Sequence, residues 1–254
     1  MTGTGCQGCR NSDANAFAIP FTMAFQPIVD IANARIWGYE ALVRGVAGEG
    51  AFQVLRQVNE QNRYAFDQAC RVKAIELAGA RVPDSDTKLS INFMPNAVYE
   101  PKACIRATLE AAKRVRFDTK RLMFEFTENE DIVDVAHVQH IISEYRKMGF
   151  ITALDDFGAG FAGLALLAKF QADLIKLDME LVRGINESSV KQAIVRGIVG
   201  ITTELGITLL AEGVETHAEM TSLRAVGINL FQGYYFARPK VETFDRYSEL
   251  EHAA

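Results

Sequence analysis

The sequence predicts a single α/β barrel of the (β/α)8 type with an antiparallel opening strand. Three observations carry that prediction. Eight short apolar runs alternate with longer segments of helical periodicity. The chain has 254 residues, which suits one barrel domain. No G-x-G-x-x-G follows the first parallel run, which counts against a dinucleotide-binding fold and leaves an open doubly wound sheet as the alternative.

The runs, in order, are FTMAFQPIVD (21–30), IWGYEALVR (36–44), KLSINF (88–93), RLMFEFT (121–127), FITALDD (150–156), DLIKLD (173–178), ITLLAE (207–212) and INLFQG (228–233). The first two form a hairpin candidate joined across Asn33. Helical periodicity spans 51–79, 101–116, 132–148, 188–205 and 217–226, so the later strands are expected to be parallel with crossover helices. Residues 1–20 read as a flexible tail and 21–250 as one domain, because no Ser/Pro-rich linker or charge block interrupts the pattern.

Composition excludes several classes. With 49% hydrophobic residues the chain can bury enough surface to offset its entropy, which rules out disorder. A net charge of −5 argues against DNA or RNA as a partner, since phosphate backbones need a basic surface. The best apolar run, residues 161–168, falls well short of the ~20 residues a membrane helix needs. The first residues lack the apolar core of a secretory signal, so the expected compartment is the cytoplasm. Cys70 and Cys104 lie among apolar neighbours and read as small buried hydrophobes. Cys6 and Cys9 form a lone C-x-x-C without a second ligand pair. That leaves either a plain tail or a redox, metal or intermolecular role.

The informative pattern is polar. Run by run, the C-terminal part carries Glu40, Asn92, Glu125, Asp155 with Asp156, Lys176 with Asp178, Glu212 and Gln232. In a parallel barrel all strand C-termini share one rim, and that rim is where such barrels do chemistry. Ordinary polar strand ends would explain one or two acids, not five acid-bearing ends with a matched Asn, Lys and Gln. Gathered carboxylates repel and are forced to protonate unless a cation joins them. A divalent ion is therefore expected. None of His137, His140, His217 and His252 ends a strand, so the donors are hard oxygens and the ion is Mg²⁺ or Mn²⁺. The adjacent Asp155 and Asp156 are placed to bridge two such ions, an arrangement suited to in-line phosphoryl chemistry. Lys176 sits inside an apolar strand and needs carboxylate neighbours to be tolerated there.

FQPIVD (25–30), YEALVRG (39–45), SINFMP (90–95), FEFTE (124–128), LDDFGAG (154–160), IKLD (175–178), AEGVET (211–216) and FQGYYFARP (231–239) stand in this order along the chain. With these motifs the sequence resembles the EAL-domain family, cyclic di-GMP-specific phosphodiesterases on a modified TIM (β/α)8 barrel. The resemblance covers roughly residues 21–245. It implies hydrolysis of cyclic di-GMP to linear pGpG with two Mg²⁺ or Mn²⁺ ions. Glu40, Asn92, Glu125 and Asp155 resemble the ligands of one metal, and Asp155 with Asp156 those of the second. Lys176 matches the lysine that holds or activates the attacking water. Glu212 matches a proposed general base, with an outer-sphere or metal-contact role equally open. Glu128 matches the residue that anchors the loop after Asp155–Asp156. Gln26 and Arg44 match positions that contact the dinucleotide, and Gln232 one near metal and substrate. Arg44 also reads as a plain surface arginine, while Asp178 and Glu215 belong to the motifs as ligand-shell or structural residues.

Two departures stand out. Met94 replaces a common Ser two residues after Asn92, and the loop at 157–163 has Ala159 and Ala162 where hydroxyls are usual. Those losses remove side-chain hydrogen bonds that could order the loop. No expected metal ligand is lost, so turnover is the leading expectation. The alternatives are a cyclic di-GMP receptor or protein-partner switch without catalysis, and a barrel acting on another phosphodiester. The resemblance further implies a homodimer through helices near the Asp155–Asp156 loop. With no sensor expected in a chain of this length, a regulatory protein partner is one route of control. The rim acids Glu40, Glu125, Glu128, Asp155, Asp156, Asp178, Glu212 and Glu215 also explain the acidic balance. Removing those eight negative charges from a net of −5 leaves +3 for the rest of the chain.

Overall fold

The structure is a computed structural model that describes residues 19–82, 86–95, 98, 100–127, 135–160, 163–169 and 171–250. Its strands are β1 (Phe21–Asp30), β2 (Arg35–Gly45), β3 (Lys88–Asn92), β4 (Leu122–Thr127), β5 (Ile151–Phe157), β6 (Leu174–Leu177), β7 (Thr208–Ala211), β8 (Leu230–Phe231) and β9 (Lys240–Val241). The helices are α1 (Ala51–Leu55), α2 (Arg63–Arg81), α3 (Pro101–Cys104), α4 (Arg106–Val115), α5 (Val135–Lys147), α6 (Gly163–Lys169), α7 (Met179–Val182), α8 (Ser189–Leu205) and α9 (His217–Ala225).

β2 through β8 pair in sequence, each parallel to the next. β1 closes the ring by pairing antiparallel with both β2 and β8. The predicted hairpin is present: Asp30 opposes Arg35, and the turn places Ala34 at a positive φ of 51°. Asp30 accepts from the backbone N–H and side chain of Asn33, which fixes that turn.

Period-two alternation divides each strand between two cores. Ile28, Met123, Ala153, Leu174, Leu210 and Leu230 point inward and fill the barrel's middle. Their strand neighbours, among them Phe124, Leu154, Ile175 and Ala211, face outward into the layer covered by helices. An aromatic group of Phe93, Phe124, Tyr145 and Phe150 packs there in edge-on and tilted pairs. Cys104 is buried in the same outer layer, and Cys70 in a smaller cluster with Val54 and Phe66.

Several element boundaries differ from the sequence pattern. The 51–79 segment is two helices, because Asn59 and Asn62 tie the intervening turn through their side chains. The 101–116 segment divides at Ile105. α6 and α7 are short helices that periodicity did not delimit, and β9 is a two-residue strand held on β1 at Ala24 and Phe25. Residues 1–18, with Cys6 and Cys9, lie outside the described residues. No helix among the described residues is long and apolar enough to cross a membrane.

Candidate active site

The barrel's alternation builds the site directly. Two residues beyond each inward apolar residue, towards the same end of the barrel, comes a polar one: Gln26 from Ile28, Glu125 from Met123, Asp155 from Ala153, Lys176 from Leu174, Glu212 from Leu210 and Gln232 from Leu230. Ser90 and Asn92 on β3 keep the same spacing. The polar layer therefore sits on top of the apolar one.

Asp156 breaks the alternation. In a regular strand it would face away from Asp155. The register slips between Leu154 and Phe157, and Asp156 takes a left-handed φ of 55°. Its N–H donates to Asp155 Oδ1 at 3.0 Å, and its Oδ2 accepts from Thr127 Oγ1 at 3.0 Å. Asp155, Asp156 and Glu212 consequently offer carboxylate oxygens that all lie within 4.8 Å of one another. Gly213, next to Glu212, has φ of +66°, and a Cβ there would fall 2.5 Å from Met179 Cβ. That close approach is why the turn after Glu212 carries glycine.

Lys176 is the hub. Its Nζ lies 2.7 Å from Glu212 Oε1, 2.8 Å from Glu125 Oε2, 3.0 Å from Asp155 Oδ1 and 3.4 Å from Glu40 Oε2. Asn92 Nδ2 donates to Glu40 Oε1 at 3.1 Å, and Gln232 Nε2 to Glu40 Oε2 at 2.7 Å. Gln232 also donates to Gln26 Oε1 at 3.1 Å, while Gln26 donates to the Ala237 carbonyl at 3.0 Å. Ser90 Oγ donates to Glu125 Oε1.

The charges do not balance. Burial alone would strip Lys176 of its proton, but Asp155, Glu125, Glu212 and Glu40 outweigh it and hold the ammonium well above its usual pKa. Burial pushes the Glu125 carboxyl up to about 8; Lys176 opposes this, and Glu40 and Asp155 add to it. Glu212 is raised well above its usual value, first by burial, with Lys176 opposing and Asp155 adding. Asp156 is raised by burial and by Asp155. Glu40, Glu125, Asp155, Asp156 and Glu212 thus share a single described ammonium. Clustered hard oxygens with excess negative charge fit a divalent cation such as Mg²⁺ or Mn²⁺.

A cavity of about 260 Å³ opens over this cluster, lined by Gln26, Glu40, Asp155, Asp156, Lys176, Glu212 and Gln232, with Arg183, Glu215 and Tyr234 among its other walls. Most sequence-predicted positions therefore meet in one place. Four do not line it. Glu125 is wholly buried and touches it through Lys176. Asn92 touches it through Glu40. Asp178 caps α7, accepting from Glu180 N–H at 2.7 Å. Arg44 donates to the adjacent Val43 carbonyl at 2.7 Å. Glu128 lies outside the described residues, as do Phe161 and Ala162 of the altered loop. Sequence reasoning missed Ser90, Thr127 and Arg183. Ser90 was detectable, since it precedes Asn92 by two on the same strand face.

The fold has counterparts among known proteins. The family model described as "EAL domain" matches residues 16–239. A stand-alone versatile EAL protein of Vibrio cholerae O395, solved in its c-di-GMP-bound form, is 51% identical with a TM-score of 0.88. The match covers 92% of this chain and 100% of that one. Klebsiella pneumoniae BlrP1, solved with manganese and cyclic di-GMP, is 38% identical with a TM-score of 0.82, over 88% of this chain and 57% of that one. The blue light- and temperature-regulated antirepressor BluF of Escherichia coli is 34% identical over 86% of this chain. A cyclic di-GMP phosphodiesterase of Pseudomonas aeruginosa is 29% identical over 86%. The chain spans 54% and 38% of the lengths of these last two proteins. With the family model matched across the whole barrel, the chain belongs to the EAL domain family.

Proposed function

We propose that this chain hydrolyses cyclic di-GMP to linear pGpG, using Mg²⁺ or Mn²⁺, in the cytoplasm. The observation that carries the reading is the Lys176 cluster: a protonated amine among Glu40, Glu125, Asp155 and Glu212, with Asp156 turned to the same side. In this reading Glu40, Asn92, Glu125 and Asp155 hold one ion, and Asp155 with Asp156 a second. When bound, such ions neutralise the non-bridging phosphate oxygens and acidify a nearby water.

The chain's own groups do the rest. One phosphorus–oxygen bond of the ring breaks, a water oxygen joins the phosphorus, and a proton reaches the leaving 3′ oxygen. Lys176 keeps its proton, so it serves as a donor that orients the water and not as a base. Glu212, on the cavity wall 2.7 Å from Lys176 Nζ, is the carboxylate suited to take the water's proton. Gln232 and Gln26 form a fixed amide pair beside Glu40 that can hydrogen-bond the dinucleotide. A homodimer belongs to the same reading, supported by exposed Leu164 on α6. Sedimentation of the purified chain tests it.

The deciding experiment is chromatography of cyclic di-GMP incubated with purified protein and Mg²⁺ or Mn²⁺. Conversion to pGpG is expected. One observation favours a second reading: BluF, 34% identical, is named an antirepressor. Retained cyclic di-GMP binding without turnover would establish that regulatory reading instead.

A further inference from the structure

The dinucleotide is a dianion, yet the cavity is walled by acids. Among its described lining residues only Lys176 and Arg183 are cationic. Lys176 is 1% exposed and fully engaged by carboxylates, so it cannot reach out to a phosphate in the mouth. Arg183 is different. Its side chain is 48% exposed at the rim, where it pairs with Glu215, itself 43% exposed. An exposed ion pair contributes at most about 1 kcal/mol, so Arg183 can exchange its partner at little expense. A guanidinium fork also matches phosphate oxygens better than a carboxylate held by a single contact.

The pair sits on a built frame. Glu219 is buried, and its carboxylate accepts from Gly184 N–H at 2.8 Å, Glu215 N–H at 3.0 Å and Thr216 N–H at 3.0 Å. One side chain thus staples the residue after Arg183 to Glu215 itself. It also closes a capping box with Thr216 at the start of α9. Lys191 Nζ donates to the Arg183 carbonyl at 2.7 Å and fixes the same backbone from outside. Backbone positions on both sides of the mouth are therefore set, and only the two long side chains remain free to rearrange.

We propose that Arg183 is a substrate-binding residue whose guanidinium leaves Glu215 and takes a phosphate of the incoming dinucleotide, with Glu215 as its holder in the free chain. This deepens the phosphodiesterase reading and rests on it. The test compares Arg183→Ala, Arg183→Lys and Glu215→Gln by steady-state kinetics with Mn²⁺. Cyclic di-GMP affinity is measured in parallel by calorimetry with Ca²⁺, an ion seen with cyclic di-GMP in BlrP1. Arg183→Ala should raise KM and Kd about tenfold with the effect on kcat under about twofold. Arg183→Lys should recover part of that loss, because it keeps the charge without the fork. Glu215→Gln should move KM and Kd the opposite way, lowering them a few-fold, roughly the strength of an exposed pair. A bland surface pair would leave both constants unchanged in all three variants. Wild-type turnover with unchanged constants in Arg183→Ala would overturn this assignment and leave the phosphodiesterase reading standing. A wild type that neither binds nor hydrolyses cyclic di-GMP would overturn both.

Discussion

Among the described residues two cations are buried, and they behave as opposites. Arg71 on α2 is 0% exposed and has one carboxylate partner, Asp67, at 2.5 Å. The other oxygen of Asp67 accepts Met94 N–H at 3.1 Å, which ties the chain leaving β3 to the helix layer. Lys176 is just as buried but faces Glu40, Glu125, Asp155 and Glu212. The first is a neutral pair behind the strands, the second an anionic cluster at their C-terminal ends. A balanced buried pair fixes architecture and asks for nothing more. An unbalanced one is stable only if some groups protonate or another cation arrives, and that need is what marks a functional site.

Breaking each centre should therefore read out in different quantities. Lys176→Met should lower kcat at least about 10³-fold, the upper part of the range for a positioned proton-handling group, while the protein still folds as carboxylates take up protons. Asp67→Ala should instead lower unfolding stability by about 3–5 kcal/mol in urea titration, because Arg71 is left charged and unpaired. The double variant Asp67→Leu/Arg71→Met should regain most of that stability and keep activity within about threefold. A double variant that folds well yet loses as much activity as Lys176→Met would erase the contrast.

The charge imbalance also sets a pH dependence. Glu125 is held at about 8 in the folded chain against an ordinary 4.5, chiefly by burial. Between those values the folded protein keeps a proton that the unfolded chain releases. Stability of the ion-free protein therefore falls as pH rises from 4.5 towards 8, and the loss is complete above that. Glu212 is shifted in the same direction. Melting temperatures in a chelator should decline across this window. Glu125→Gln should flatten the decline, and added Mn²⁺ should stabilise more at pH 8 than at pH 6. A slope unchanged in Glu125→Gln would place the titration elsewhere.

How much of this was legible follows from range. Spacing of two along a strand is local, so Met123 then Glu125, or Leu174 then Lys176, announces an apolar floor beneath a polar rim. Asp156 could be placed beside Asp155 only by assuming a slipped register and a left-handed backbone, which tertiary pairing decides. The turn of Asn59 and Asn62 that divides 51–79 shows side chains overriding helical periodicity. Arg44 and Arg183 show the limit from the other side. Arg44 stood in a motif but rests on its neighbour's carbonyl, while Arg183 stood in none and reaches the cavity through two loops held together by Glu219.

The mildest expected effect falls on Ser90. It is wholly buried on β3, opposite Glu40 in register on one side and Met123 on the other, and its hydroxyl donates to Glu125. A donor to the ionised carboxylate favours the charged form that a cation would need. Ser90→Ala removes one donor and leaves Glu125 Oε1 buried without it, at roughly 1–3 kcal/mol. The consequence should appear as weaker cation binding. The Mn²⁺ concentration for half-maximal activity should rise about three- to tenfold, with little change in turnover at saturating Mn²⁺. Ser90→Thr keeps the donor in a slightly larger side chain and should restore much of the affinity. If Ser90→Ala lowered stability without moving the Mn²⁺ requirement, Ser90 would belong with Asp67 and Arg71 as architecture, and the anionic centre would end at its carboxylates.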